Sequence, residues 1–350
     1  MIRLSARLFS AVALAALCLP ASQMFAQTQV PPALPQGQAA PAQSPAAGQS
    51  PTAPGLQVPP TAPKPQAPVF PKPDPANFTA TSPTVDTVNA FLQANWGYDP
   101  NRMWQVQAIR KTQVQSLSQV IVFVGDKTGK QRPQALAFFV LPDGKHIITG
   151  DQVVPFGAHP FADLRAQLQQ RADGPYRGST AKDLELVEFA DMECPHCKEA
   201  QPNMDKLVTD FPKAHIVFEN DPIASIHPQA ERAAEYGVCV AKAAGNTAFF
   251  QFVAAVFDGQ DGLGTPDGAT LTLNSAVTKA GQDPAKIASC AAQPQTRAEV
   301  EASRNLAGDI GIEEVPTLVI NGREVPANIP YETLKTIIQY QAKIDGVTLQ

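Results

Sequence analysis

Two periodicities alternate along this chain. Residues 85–96 read as an amphipathic helix, and the runs 103–109, 120–124, 135–141 and 146–154 read as strands, the last two joined by the turn Pro142-Asp143-Gly144. A helix followed by antiparallel strands predicts a small α+β module over residues 80–172, with 164–171 as a helix leading out of it. Further on, the apolar run 184–189 predicts a buried strand. Ala200, Met204, Leu207, Val208 and Phe211 then recur at helical spacing from Lys198 onward. Residues 227–240, 247–257 and 298–307 carry helical patterns, with a Gly/Asp-rich loop at 258–268, and 312–322 reads as a loop, a strand and an Asn321-Gly322 turn.

The N-terminal part follows neither period. Arg3 and Arg7 precede an apolar run at 8–19 and small residues, the pattern of a secretory signal peptide over 1–26, with cleavage after Ala26 or, alternatively, Ala21. Bulky Leu17 before Cys18 is the wrong residue for a lipoprotein signal, so Cys18 goes with the discarded peptide rather than serving as a lipid tether. Residues 27–79 are rich in Pro, Gln and Ala: 15 of the 34 prolines fall there, and the charges are Lys64, Lys72 and Asp74. Such a segment cannot bury a core and is expected to be a disordered, extended linker. The expected compartment is the periplasm, where disulfides form and persist.

The candidate chemistry is Cys194-Pro195-His196-Cys197, since two thiols two residues apart can close a disulfide within one helical turn and pass it on. A haem attachment needs His directly after the second cysteine, where this chain has Lys198. A structural zinc site needs four ligands, and the other mature cysteines, Cys239 and Cys290, stand apart from the pair and from each other. Redox is therefore the reading taken. The strand before the pair and the helix after it put Cys194 at a helix N-terminus, with Pro195 in the first turn, where proline is tolerated. The helix dipole and free backbone N–H groups stabilise a thiolate there. His196 adds a donor or a positive charge. Cys194 is the attacking thiol and Cys197 resolves.

With these residues the sequence resembles the bacterial DsbA-type thiol-disulfide oxidoreductases of the thioredoxin superfamily, over about residues 178–345. The resemblance implies that Glu188 is a buried carboxylate moving protons during exchange, against the alternative of an ordinary water-facing strand residue. It also implies that Pro316 follows a cis peptide opposite the cysteines, leaving backbone groups of Val315 to pair with an extended substrate. The Ala-rich middle resembles the family's helical insertion, placed at about 200–305. In an oxidising compartment Cys239 and Cys290 within it are expected to form a structural disulfide, which could stabilise the fold by about 4 kcal/mol; two buried free cysteines are the alternative. The expected fold class is thus an α/β thioredoxin-like fold with a helical insertion, preceded by a small α+β domain and a disordered Pro-rich linker.

The 80–172 module loosely resembles the N-terminal dimerisation domain of the DsbC and DsbG isomerases, which implies a homodimer through that module. Those isomerases carry tyrosine between the cysteines and threonine before the cis proline, whereas this chain has His196 and Val315, the choices of the oxidase side. Disulfide donation to reduced or misoxidised secreted proteins is the first reading. A DsbC/DsbG-like isomerase or reductase, kept reduced by a reductase partner, is the second. A non-enzymatic periplasmic binding or chaperone protein with Cys194 and Cys197 permanently closed is the third. The resemblance implies a quinone-linked membrane reoxidase of the DsbB or VKOR type as partner and no cofactor beyond the Cys194/Cys197 disulfide, and no metal is expected. A net charge of −5 and the lack of a basic patch or phosphate-cradling loop argue against nucleic acid. His146, His159, His215 and His227 are scattered and read as structural or surface residues.

Overall fold

Thr84 starts the first helix: its Oγ1 accepts from the Thr87 N–H at 3.1 Å, and α1 (Val85–Trp96) runs from there to Gly97. The computed structural model describes residues 69–129 and 132–349, within one compact unit, Ala62–Gln350. The expected signal peptide at 1–26, Cys18 and the linker up to residue 68 lie outside the described residues.

Beside α1 lies an antiparallel sheet whose strands follow chain order: β1 (Arg102–Lys111), β2 (Ser118–Asp126), β3 (Gln134–Val140), β4 (His146–Thr149) and β5 (Gln152–Pro155). Val88, Phe91 and Leu92 of α1 pack on Val106, Val120, Val122, Phe138 and Ile147, one apolar face closing on another. The run 146–154, read from sequence as one strand, is a hairpin. Gly150 takes φ 61°, and Thr149 pairs with Gln152 across the turn. Residues 70–79, read as linker, lie on the sheet: Phe70 stands edge-on to Phe123 at 6.2 Å, Pro71 accepts from Gln107 Nε2 at 3.1 Å, and Phe78 bridges to Ile109. The two aromatic rings supply apolar surface that the rest of the Pro/Gln/Ala stretch lacks.

α2 (Ala162–Arg171) leads to a second sheet built from β6 (Tyr176–Gly178), β7 (Glu185–Ala190), β8 (His215–Asn220), β9 (Thr317–Ile320) and β10 (Arg323–Pro326), in the order β10-β9-β7-β8-β6. β7 and β8 run parallel and are buried throughout, their polar Glu185, Glu188, His215, Glu219 and Asn220 included, because both faces of the sheet are covered. The helix α3 (Pro195–Asp210) joins them. Its Ala200, Met204 and Leu207 cover one face of the sheet together with Leu334, Ile337 and Ile338 of α8 (Tyr331–Ile344). Leu168 of α2 covers the other, with Leu306 and Ala307 from the last of the helices between β8 and β9.

Those helices are α4 (Ala230–Asp258), α5 (Pro266–Lys279), α6 (Pro284–Ala291) and α7 (Pro294–Ile310). The insertion therefore starts after β8 rather than at about 200, because α3 and β8 carry the sheet's own core. The two helices read at 227–240 and 247–257 are one run broken at Gly245, whose φ of 75° is non-helical. α4 is long and apolar enough to cross a membrane, at mean hydropathy 1.3. Here Phe249, Phe252, Val253 and Val256 enter a core with Leu273 and Val277 that also contains Cys194 and Cys197. The loop read at 258–268 holds a short 3-10 turn, Gln260–Gly264, and the start of α5.

Candidate active site

The buried strand β7 ends at Ala190 and delivers the chain to a tight turn. Asp191 shapes it: its Oδ1 accepts from Glu193 N–H at 2.7 Å and its carbonyl from Cys194 N–H at 3.1 Å. Cys194 is then the N-cap of α3, in extended conformation, and Pro195 occupies the first helical turn. The N–H groups of Cys197 and Lys198 donate to the Cys194 carbonyl at 3.1 and 3.2 Å.

This local geometry separates the two thiols. Cys194 keeps 6% of its surface and Cys197 none. The Cys194 thiol is pulled down to about 6, first by a hydrogen bond from Cys197 and further by the backbone N–H groups of Cys197 and His196 and the charge of His227. Cys197 is pushed far up by donating that hydrogen bond and by burial. Asp191 N–H also reaches Cys197 Sγ, at 3.4 Å. One sulfur is a reachable thiolate and the other a buried thiol beside it.

His196 turns outward. Its Nδ1 meets Glu199 Oε2 at 2.9 Å, and this hydrogen bond leads in raising its pKa, with a smaller contribution from Cys194. The imidazole thus adds charge near the thiolate, while the donor to the sulfur is the backbone N–H.

Glu188 is not a water-facing strand residue. It is 1% exposed, its Oε1 accepts from Gln201 Nε2 at 2.8 Å, and Gln201 also donates to the Cys197 carbonyl at 3.1 Å. Burial pushes the Glu188 carboxyl up to about 7, opposed by the charge of Arg177 and the bond from Gln201. A carboxyl tuned to neutrality beside a buried thiol can give or take a proton.

The Val315-Pro316 peptide is cis. Val315 packs against the cluster that contains both cysteines, and its N–H and C=O have no hydrogen-bond partner among the described residues. Pro316 is anchored through its carbonyl, which accepts from Ala327 N–H at 2.9 Å. Cys239 of α4 and Cys290 of α6 are disulfide-bonded, with Cα atoms 6.0 Å apart, at the edge of the same cluster. Among the described residues no three His, Cys, Asp or Glu side chains are grouped to hold a metal ion.

Gln260 and the Asp191–His227 pair are absent from the sequence reading. Buried Gln260 donates through Nε2 to the carbonyls of Met192 and Cys194, each at 3.0 Å, tying the insertion to the active-site turn. His227, read as structural or surface, meets Asp191 Oδ2 through Nδ1 at 2.8 Å. No local sequence signal marks Gln260; a short polar residue three positions before Cys194 is the only hint at Asp191.

Residues 170–340 match the family model described as thioredoxin. Similar solved structures include DsbA2 of Pseudomonas aeruginosa, 26% identical over 48% of this chain and 94% of that one, with a TM-score of 0.41. A periplasmic thioredoxin-like protein of Salmonella enterica serovar Typhimurium is 20% identical over 51% of this chain and 96% of that one, with a TM-score of 0.42. The thiol-disulfide exchange protein α-DsbA2 of Wolbachia pipientis is 20% identical over 51% and 95%, with a TM-score of 0.44. The Na(+)/H(+) antiporter NhaA 1 of Salinispora arenicola is 38% identical over 74 residues, 21% of this chain, and the chain spans 11% of that protein's length. Residues 170–340 thus resemble the thioredoxin family and adopt a thioredoxin-like fold.

Proposed function

We propose that this chain is an extracytoplasmic thiol-disulfide oxidoreductase that donates the Cys194–Cys197 disulfide to secreted proteins. The observation that carries this reading is the contrast between the sulfurs: Cys194 at the helix N-terminus is pulled down to about 6 and Cys197 behind it is pushed up. A thiol that prefers to be a thiolate stabilises the reduced pair and makes its disulfide a strong oxidant.

In the reaction a substrate thiolate attacks Cys194 Sγ and breaks the bond to Cys197, which leaves with the electron pair and takes a proton from Glu188, whose raised pKa supports that role. A second substrate thiolate then attacks the substrate sulfur of the mixed disulfide and expels the Cys194 thiolate. The substrate has lost two electrons and two protons, and the reduced pair needs an external oxidant, a quinone-linked membrane protein of the DsbB or VKOR type. The N–H and C=O of Val315, unpaired among the described residues, offer an extended substrate two backbone hydrogen bonds next to the cluster that holds the sulfurs.

The test is the equilibrium of the purified protein with glutathione buffers. A potential near about −120 mV is expected for a donor, whereas about −270 mV would make it a reductant and about −180 mV would favour the isomerase. A pair that resists mild dithiols until the protein unfolds would overturn the enzymatic reading.

A further inference from the structure

Asp191 stands beside the redox pair without a part in the exchange. It is 1% exposed, and its backbone N–H lies on Cys197 Sγ at 3.4 Å. Its Oδ1 accepts from Glu193 N–H at 2.7 Å, and its Oδ2 from Ile223 N–H at 2.8 Å and from His227 Nδ1 at 2.8 Å. A buried carboxylate on the residue whose backbone N–H meets Cys197 opposes a thiolate in this corner, because like charges repel strongly where water is excluded. The side chain that meets it is His227, whose side chain is 15% exposed and which lies in the segment between β8 and α4.

We propose that His227 is a positioning residue of the redox site, whose imidazolium form, held by Asp191, offsets the carboxylate and favours the Cys194 thiolate and the reduced pair. The proposal rests on the exchange reading above. The charge of His227 is among the causes that lower the Cys194 thiol. Other charged groups facing this corner are Glu193 of the turn before α3, which accepts from Gln229 N–H at 2.6 Å, and Asp221 after β8, which feels Asp191 and Arg304 of α7. On the outer side of α3, His196 and Glu199 pair with each other. His227 is thus contributed by the insertion side, from the segment 221–229, and the Asp191 carboxylate fixes its ring.

The experiment is the pH dependence of Cys194 alkylation by iodoacetamide, with the glutathione equilibrium constant, for wild type, His227→Gln and Asp191→Asn. Gln can still donate to Asp191 without charge. The inflection is expected to move to higher pH in His227→Gln, with a threefold or larger shift of the equilibrium toward the disulfide. In Asp191→Asn the opposing carboxylate goes together with the partner that holds the imidazolium, so a smaller shift than in His227→Gln is expected. In the double variant the His227→Gln effect should shrink, as expected for residues that act through one another. An inflection and constant within twofold of wild type in His227→Gln, or a shift in Asp191→Asn as large as that in His227→Gln, would overturn the proposal. Failure of the exchange reading looks different: the wild type itself would then lack a low inflection and would not equilibrate with glutathione.

Discussion

Arg323 on β10 donates from Nη2 to the carbonyl of Ala94 and from Nη1 to that of Asn95 at 3.0 Å, so a side chain of the second sheet caps the last turn of α1. Its Nε donates to Gln341 Oε1 at 2.9 Å, and its guanidinium lies 4.3 Å from the Phe161 ring centre. Burial pulls Arg323 down to about 10, still charged at neutral pH. Arg323→Met keeps the apolar stem but strands these carbonyls, at a cost of about 2 kcal/mol or more. Both tryptophans of the chain, Trp96 and Trp104, lie in the front module, with ring centres 6.1 Å apart. In urea, the Arg323→Met tryptophan transition is expected at lower denaturant than the far-UV signal of the helical insertion. Coincident, unshifted transitions would show that Arg323 does not join the two parts.

Glu188 gives the stability a pH dependence. Its folded value, about 7, lies above the unfolded 4.5, so between those values the native state holds a proton that the unfolded chain has released. Stability therefore falls as pH rises from about 4.5 to 7 and is level on either side, with an amplitude of about 3 kcal/mol from this residue. Glu219, also pushed up to about 7 by burial, acts in the same sense and stays as background. For the reduced protein, the difference in urea stability between pH 4.5 and pH 8 should be smaller in Glu188→Gln than in wild type. An equal difference would mean that Glu188 does not bind a proton across neutrality.

The sequence made local features legible and left remote ones hidden. α1 matches its sequence range to the residue, because Thr84 and Gly97 bracket an amphipathic period. The redox motif was legible too, since its chemistry needs only neighbours in sequence. α5 and α6 were not read: their start signals, Thr265-Pro266 and Asp283-Pro284, sit inside an Ala-rich stretch with little periodic contrast. What could not be read were contacts closed by tertiary folding: Gln260 reaches the Cys194 carbonyl across 66 positions and His227 reaches Asp191 across 36. Nothing local distinguishes either residue from an ordinary helix-flanking polar side chain.

Gln260 tests how much the insertion supports the active-site turn. Its amide satisfies two buried carbonyls at once, Met192 and Cys194. Gln260→Leu fills a similar volume and leaves both without that donor, although the Cys194 carbonyl keeps the bonds from Cys197 and Lys198. The expected loss is about 1–3 kcal/mol, mostly from the Met192 carbonyl. Chemical denaturation measures it. A loss well under 1 kcal/mol would mean that water or a backbone shift replaces the amide at little cost.

The roles of the two sulfurs are tested by which single variant accumulates mixed disulfides. Cys194 is reachable and pulled down to about 6, so it forms the bond to substrate. Cys197 is fully buried and pushed up, so its part is to attack Cys194 from within the helix turn and release the substrate when the exchange runs backward. Cys197→Ala removes that escape while keeping a residue that suits a helix interior; the contact from Asp191 N–H and the hydrogen bond to Cys194 are lost, so Cys194 stays reactive but less acidic. With a disulfide-bearing substrate, non-reducing gels should show stable adducts of Cys197→Ala and none of Cys194→Ser, which should also have lost exchange altogether. Adducts on a Cys194 variant, with none on Cys197→Ala, would reverse the roles and leave the low pKa of Cys194 without its chemical consequence.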